Sequence, residues 1–457
     1  MSKFKYRLGL YGGKTARLGL KLLKRQGTYL PGVISAKLDP NYLKNIPKPN
    51  RMIAITGTNG KTTTSNLILD ILSAKDPNIA NNNFGSNTGA GIITTMTDNL
   101  TLSGKKKSEL ATLELDERWL PKVFRQVHPE LLIVTNLYQD SYKRNAHTDF
   151  IKDVINGGLP KSTKLILNGD DLISAQIGEG NERVFFSIAP LEGEEERRDS
   201  RLKDIRYCPK CHTELEWDFV RYHHIGQAHC PSCGFRNPEA KYIVRKVDYA
   251  AKKLFVEESG KLLELPLILG TTEAIYNQLA AYSALREFGL SHQELNKAMA
   301  NLDIVSSRYT ATKASNRNIY LSVAKRYNPI ANSRAFDMVK KHPGNKILIL
   351  GNDDNDPSRY HENIAWFYDA DFEYLKDPSI KQVVFHSWRY NDLMVRALMA
   401  GVPEEKIHAL DDYKQVASLI DLKGDGDIFI LHDIQDASRF QAEFIRDELV
   451  KRLEASK

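Results

Sequence analysis

The stretch Arg51–Thr56 (Arg-Met-Ile-Ala-Ile-Thr) runs directly into Gly57-Thr58-Asn59-Gly60-Lys61-Thr62-Thr63, and a helix-forming segment, Thr62 to Leu72, follows. Strand, glycine turn, helix is the order that a phosphate-binding loop requires. A phosphate chain needs backbone N–H groups that approach closely, a helix N-terminus and a cation. Gly57 and Gly60 supply close approach, Lys61 reaches terminal phosphates, and the Thr62 hydroxyl can hold Mg²⁺. The general G-x-x-x-x-G-K-[ST] pattern would place glycine where this chain has Ile55, so spacing alone leaves a coincidental turn open. The flanking strand and helix favour a nucleoside triphosphate site, with ATP as the expected ligand.

Further short apolar runs at Leu110–Leu115, Leu131–Thr135 and Lys164–Leu167, with helical stretches between them, predict an α/β unit with a largely parallel sheet. The 457 residues allow two to four domains. Residues 1–50 read as a helical arm and an irregular lead-in marked by Pro31, Pro40, Pro47 and Pro49. A charged boundary at 191–203 leads into a cysteine module, and helical periodicity resumes at Thr272–Phe288. After Arg308, strands near Lys346–Leu350, Gln382–His386 and Asp427–Leu431 predict a smaller doubly wound unit. The expected division is therefore 1–50, 51–307 with an insert at about 205–238, and 308–457.

Lys and Arg exceed Asp and Glu by 64 − 57 = 7, a modest excess that a solvated surface explains. The basic start (Lys3, Lys5, Arg7, Lys14, Arg17, Lys21, Lys24, Arg25) is where an acidic ligand or an anionic membrane surface would be met. No apolar run approaches the ~20 residues of a membrane span, and the start lacks the pattern of a secretory signal. The expected compartment is the cytoplasm, at or near the inner membrane face. No motif points to nucleic acid.

All four cysteines fall in Cys208-x-x-Cys211 and Cys230-x-x-Cys233, with eighteen residues between the pairs. This is the spacing of a zinc ribbon: two knuckles bring four thiolates to one tetrahedral ion, leave no open position, and so imply a structural role. Two disulfides or a rubredoxin-type iron centre are the alternatives. His212, His223, His224 and His229 lie nearby, but four sulfurs saturate the metal, so they read as surface or packing residues.

Ile55 to Thr63 resembles the signature of the Mur ligase family, ATP-dependent ligases that activate a carboxylate as an acyl phosphate before an amine attacks. An inserted zinc ribbon narrows the resemblance to the MurT-type synthetase subunits of lipid II isoglutaminyl synthase. Gly27–Gly32, Asn81–Asn87 with Gly91-Ile92, and Asp369–Glu373 look like further family segments. The resemblance implies a central Mur ligase phosphate-loop domain carrying the ribbon, plus a C-terminal Rossmann-like α/β domain. It implies Lys61 as a catalytic cation, Thr62 and Glu114 as magnesium ligands with Glu117 as second candidate, and Asn277 and Arg308 at the nucleotide. Asn168-Gly169-Asp170-Asp171 resembles a family turn near the nucleotide. The implied reaction is amidation of the D-glutamate α-carboxyl of lipid II, with ammonia delivered by a GatD-like glutamine amidotransferase. Asp353 or Asp356 is implied as a residue that completes the partner's catalytic site.

Several positions depart from the family pattern. Lys143 stands where an acidic residue is usual, although Asn136, Asp140 and Arg144 are kept; Ala274 replaces an asparagine that contacts adenine, and Asn363 aligns with the partner-completing aspartate. Three alternatives stay open: a divergent paralogue acting on another carboxylate, a nucleotide-binding scaffold subunit without turnover, and a non-catalytic partner-binding protein with the ribbon as its interaction module.

Overall fold

The computed structural model describes residues 2–25, 27–83, 85–140, 142, 147–302, 309–351, 364–422, 424–433 and 435–455. The chain divides into two compact units. The first comprises Met1–Tyr138, His147–Arg198 and Lys203–Asp303, and the second Gln139–Ala146, Asp199–Leu202 and Ile304–Lys457.

The first unit opens with helices α1 (Ser2–Leu22), α2 (Leu30–Leu38) and α3 (Tyr42–Asn45). The last two replace the irregular lead-in that the prolines predict. Pro31 sits in the first turn of α2, where a missing N–H costs no intrahelical bond. Then follow β1 (Arg51–Thr56), α4 (Lys61–Ser73), β2 (Ala80–Asn81), α5 (Gly89–Asp98), β3 (Leu110–Glu114), α6 (Leu120–Phe124), β4 (Leu131–Val134), α7 (Thr148–Asn156), β5 (Lys164–Asn168) and β6 (Arg183–Ile188). Strands β7 (Glu216–Tyr222) and β8 (Ile225–His229) form a separate hairpin. Strands β9 (Tyr242–Asp248), β10 (Lys253–Glu258) and β11 (Lys261–Pro266) return to the main sheet before α8 (Thr272–Glu287) and α9 (His292–Ala300).

The nine-stranded sheet has the order β11-β10-β9-β6-β5-β4-β1-β3-β2. Strands β1 to β6 and β9 pair in parallel, and β9, β10 and β11 form an antiparallel meander at one edge, so the sheet is largely parallel, as expected, with an antiparallel edge that makes it mixed. Strand β1 lies between β3 and β4 and is buried from Met52 to Thr56, as expected of a parallel strand covered on both faces. Its C-terminal end delivers the glycine loop to the edge of the sheet where ligands meet helix starts.

The second unit holds β12 (Tyr309–Ala314), β13 (Arg317–Val323), α10 (Pro329–Lys341), β14 (Lys346–Gly351), α11 (Trp366–Asp369), β15 (Ile380–His386), α12 (Tyr390–Met399), β16 (Ile407–Leu410), α13 (Val416–Leu419), β17 (Asp427–His432) and α14 (Asp436–Ala455). Its sheet order is β12-β13-β17-β14-β15-β16, parallel apart from the β12–β13 hairpin. Alternation along the strands feeds two cores. Leu348, Leu350, Val383, Phe385 and Phe429 pack with Phe336 of α10, Trp366 of α11 and Leu393 of α12. Ile347, Ile349, Val384, Ile428 and Ile430 pack with Val416 of α13 and Ile445 and Leu449 of α14.

Two short detours of the chain complete this unit. Gln139 Nε2 donates to Asp369 (2.9 Å) and Lys325 pairs with Asp140 (3.2 Å). The amide of Arg201 donates to Asp371 (2.7 Å), and Tyr374 OH donates to Asp199 (3.2 Å). Burial pushes the Asp371 carboxyl up to about 6, reinforced by the charges of Glu373 and Asp199.

Candidate functional site

Gly57 and Gly60 adopt φ values of 128° and 86°, a region that L side chains rarely enter. A side chain at Gly57 would collide with the Thr135 hydroxyl, and one at Gly60 with the amide of Asn277. The loop therefore needs glycine both for its turn and for close approach. Thr64 N donates to Gly60 O (2.9 Å), which closes the first turn of α4 and leaves the amides of Lys61, Thr62 and Thr63 outside the intrahelical ladder. That is the donor arrangement of an anion site at a helix start.

Four side chains converge on the head of α4. Lys61 Nζ folds back to donate to Gly57 O and pairs with Glu117 at 2.9 Å, with 3% of the Glu117 side chain exposed. The Thr62 hydroxyl donates to Glu114 Oε2 (2.8 Å), and Asn87 Nδ2 to Glu114 Oε1 (3.4 Å). Asn277 Oδ1 lies 3.5 Å from the Thr64 hydroxyl. Gly57 to Thr63, Glu114, Glu117 and Asn277 are thus brought together. Ala274 lies in the first turn of α8, where its amide donates to the hydroxyl of the N-cap residue Thr271 (3.4 Å). Arg308, Asp353, Asp356, Lys143, Arg144, Asn363 and Phe84 lie outside the described residues.

The family resemblance marks Asn82, within Asn81–Asn87, and Asn136, but sequence reading assigned neither of them a part in holding this site in shape. Strand β2 is two residues long, and Asn82 extends its pairing with its side chain: Asn82 Oδ1 accepts the Glu114 amide and Nδ2 donates to the Glu114 carbonyl, both at 2.8 Å. Asn82 Nδ2 also reaches Ser86 O (3.2 Å). On the other side, the 135–138 segment straps the loop. Asn136 exchanges side-chain bonds with the Asn59 backbone (2.9 and 3.1 Å), Thr135 Oγ1 donates to Asn59 O (2.6 Å), and Thr58 N donates to Asn136 O (2.8 Å).

The four sulfurs lie within 4.8 Å of one another, with Cys208–Cys233 at 3.5 Å and Cys211–Cys230 at 3.4 Å. A tetrahedral four-thiolate zinc site has sulfurs about 3.8 Å apart, while a disulfide needs about 2.05 Å, so the cluster suits one metal ion and not two bridges. Each knuckle turns on a left-handed residue after its second cysteine, His212 (φ 61°) and Gly234 (φ 71°). Each is closed by an isolated antiparallel bridge, Tyr207–Glu214 and His229–Arg236. None of the four neighbouring histidines joins the cluster among the described residues. Cys208 and Cys230 pack in the same apolar cluster as the strands of the first unit.

The hairpin of this module docks on Asn168-Gly169-Asp170-Asp171. Gly226 N donates to Asp170 O (3.0 Å), Asn237 Nδ2 to Gly169 O (2.6 Å), and Asp171 bridges to Ile225. Buried Arg221 pairs with Glu194 (2.7 Å) and Asp170 (3.4 Å) and donates to Tyr276 OH (2.7 Å). His224 lies between Asp171 (3.3 Å) and Asp204 (3.4 Å), ion-pair contacts with bent hydrogen-bond geometry. Burial alone would push its imidazole down; the two carboxylates outweigh it and raise it to about 9. Burial would raise Asp171, but His224, the Leu137 amide and the Ser174 side chain bring it below the ordinary aspartate range. Asp171 Oδ2 also accepts the Leu137 amide at 2.7 Å. A continuous set of contacts therefore runs from the cysteine hairpin through Asp171 to the strap on the phosphate loop.

The sheet order and the strand–loop–helix at β1 have solved counterparts. The fold matches that of a pseudomurein peptide ligase type C from Methanothermus fervidus, with TM-score 0.66 and 18% identity over 89% of this chain and 81% of that one. Residues 55–220 match the Mur ligase middle domain and residues 326–433 the MurT ligase C-terminal domain. The chain is 31% identical to the lipid II isoglutaminyl synthase (glutamine-hydrolyzing) subunit MurT of Staphylococcus aureus strain COL, over 90% of this chain and 92% of that protein. It is 27% identical to the MurT subunit of Streptococcus pneumoniae strain ATCC BAA-255 / R6, covering 91% of each. A likeness at 31% identity over 90% of the chain is one of descent, and the chain belongs to the MurT family, on the Mur ligase fold.

Proposed function

We propose that this chain is the ATP-using subunit of a lipid II isoglutaminyl synthase. The observation that carries the reading is the Thr62–Glu114 contact beside Lys61 at the head of α4, in a chain of the MurT family. Gly57 to Thr63 would cradle the triphosphate, and Asn277 and Arg308 are carried over from the family as further nucleotide-binding residues. Thr62 and Glu114 would hold Mg²⁺, which supplies charge neutralisation on the phosphates. Lys61, released from Glu117, would neutralise the transferring phosphoryl group.

In the reaction, an oxygen of the D-glutamate α-carboxylate attacks the γ-phosphorus and the bond to ADP breaks. Ammonia then attacks the acyl carbon, the bond from that carbon to the phosphate oxygen breaks, and the proton lost from nitrogen is taken up by the departing phosphate. The products are the amide, ADP and phosphate. Ammonia drawn from glutamine would require a second chain of glutaminase type, because four cysteines gathered on one metal ion would leave none for nucleophilic attack. Asp353 or Asp356 is proposed to complete that partner's site. The metal of the cysteine cluster is proposed to be zinc.

The test is to supply the chain and its partner glutaminase with lipid II, glutamine and Mg-ATP and follow the product by mass. Conversion of a carboxyl hydroxyl to an amino group, with stoichiometric ADP, is expected. An active glutaminase with no amidated lipid II would refute the reading. Tight ATP binding without turnover would assign the chain to a scaffold role instead.

A further inference from the structure

Helix α1 is held by one face and bare on the other. Tyr6 stacks on Tyr42 with ring centroids 5.6 Å apart, Leu10 is buried, and Ser35 Oγ donates to Gly9 O (2.9 Å). Gly9, Gly12 and Gly13 let α1 lie so close that a side chain at each would meet Tyr42, Leu38 and Ser35. Arg17 pairs with Asp98 at 3.1 Å, which fixes the helix about its axis.

That fixed orientation turns a second set of residues outward. Phe4, Leu8, Tyr11, Leu18 and Leu22 recur at helical spacing and are 69%, 40%, 47%, 60% and 77% exposed. An apolar row of this size on a folded surface marks an interaction site. The charges beside it select the partner. Lys3, Lys5, Arg7, Lys21, Lys24 and Arg25 are all exposed, and no acidic residue occurs before Asp39. An apolar row flanked by cations only is the pattern of a helix lying in a lipid interface, with its rings and aliphatic chains among the acyl chains and its ammonium and guanidinium groups at phosphate level. No described helix is long and apolar enough to cross a membrane.

We propose that α1 docks the chain on the surface of an anionic phospholipid bilayer. The inference rests on α1 alone and does not need the reaction assigned above. Either can fail without the other.

The test is co-sedimentation of the full chain with vesicles of phosphatidylglycerol and phosphatidylcholine in equal parts, and with phosphatidylcholine alone. Binding to the anionic vesicles at least about tenfold above the neutral ones, weakened by salt, is expected. The double variant Leu8→Glu/Leu18→Glu should lose binding by a similar factor, and so should Lys3→Glu/Lys5→Glu/Arg7→Glu. All five side chains are exposed, so an unchanged melting temperature is expected to confirm folding. Equal binding by the variants, or no binding to anionic vesicles, would overturn the proposal. Light scattering that shows a dimer dissolved by Leu8→Glu/Leu18→Glu would overturn it in favour of a second copy on this face.

Discussion

The imidazole of His224 and the carboxylate of Asp171 meet at 3.3 Å, and neither side chain has any solvent exposure. One belongs to the cysteine hairpin and the other to the turn after β5, so the charge on His224 helps to seat the inserted module on the sheet. Its folded pKa, about 9, is raised above the ordinary histidine value near 6.5. The stabilisation is therefore fully present below about pH 6.5 and is lost as pH rises toward 9, on the order of 3 kcal/mol in all. Denaturant unfolding across that window should show wild type losing stability relative to His224→Gln. Parallel curves for the two proteins would exclude a charged His224.

The proposed parts of Glu114 and Lys61 are tested by separate substitutions. Glu114→Gln should lower ADP formation at least about 100-fold and reduce its response to Mg²⁺, because the carboxylate facing Thr62 is removed. Lys61→Ala should abolish turnover and, by leaving Glu117 buried without its cation, also lower stability by roughly 3 kcal/mol. Turnover retained in Lys61→Ala would show that phosphoryl transfer occurs elsewhere.

Asn82→Ala removes two 2.8 Å bonds to the Glu114 backbone at a position only 6% exposed. The unfolding midpoint should fall by the equivalent of about 1–3 kcal/mol. Since Glu114 is then held less firmly, the Mg²⁺ concentration for half-maximal activity should rise. A stability loss with unchanged Mg²⁺ dependence would confine Asn82 to a structural part.

Metal analysis should find one zinc per chain, and Cys230→Ser should lower both metal content and folding yield. Because the hairpin reaches the phosphate loop through Asp171 and the Leu137 amide (2.7 Å), chelation should also weaken ATP binding. A metal-free chain with full stability and unchanged nucleotide affinity would count against both statements.

The parts legible in the sequence are those whose chemistry is written at short, fixed offsets. Gly57, Gly60, Lys61 and Thr62 announce a phosphate loop, and two Cys-x-x-Cys pairs announce a metal cluster. The part that Asn82 plays within Asn81–Asn87 was not legible, since its partner Glu114 is brought to it only by the β2–β3 pairing. His224 was read as a packing residue because no local pattern shows that Asp171 and Asp204 will converge on it. The Asn168–Asp171 turn looked like part of the nucleotide site, yet Asp170 and Asp171 spend their carboxylates on Arg221, Tyr276 and His224. The antiparallel meander β9–β11 was hidden for a different reason: alternating charged and apolar residues at 242–266 read equally well as surface segments until paired.

The two detours at 139–146 and 199–202 bear on how such a protein can be inherited. The chain changes unit five times, at 138/139, 146/147, 198/199, 202/203 and 303/304. A single recombination crossover at residue 303 would hand the C-terminal unit to a new host without the amide that Arg201 gives to Asp371 or the side chain that Gln139 gives to Asp369. An exchange that keeps those bonds has to carry the 139–146 and 199–202 segments along with residues 304–457.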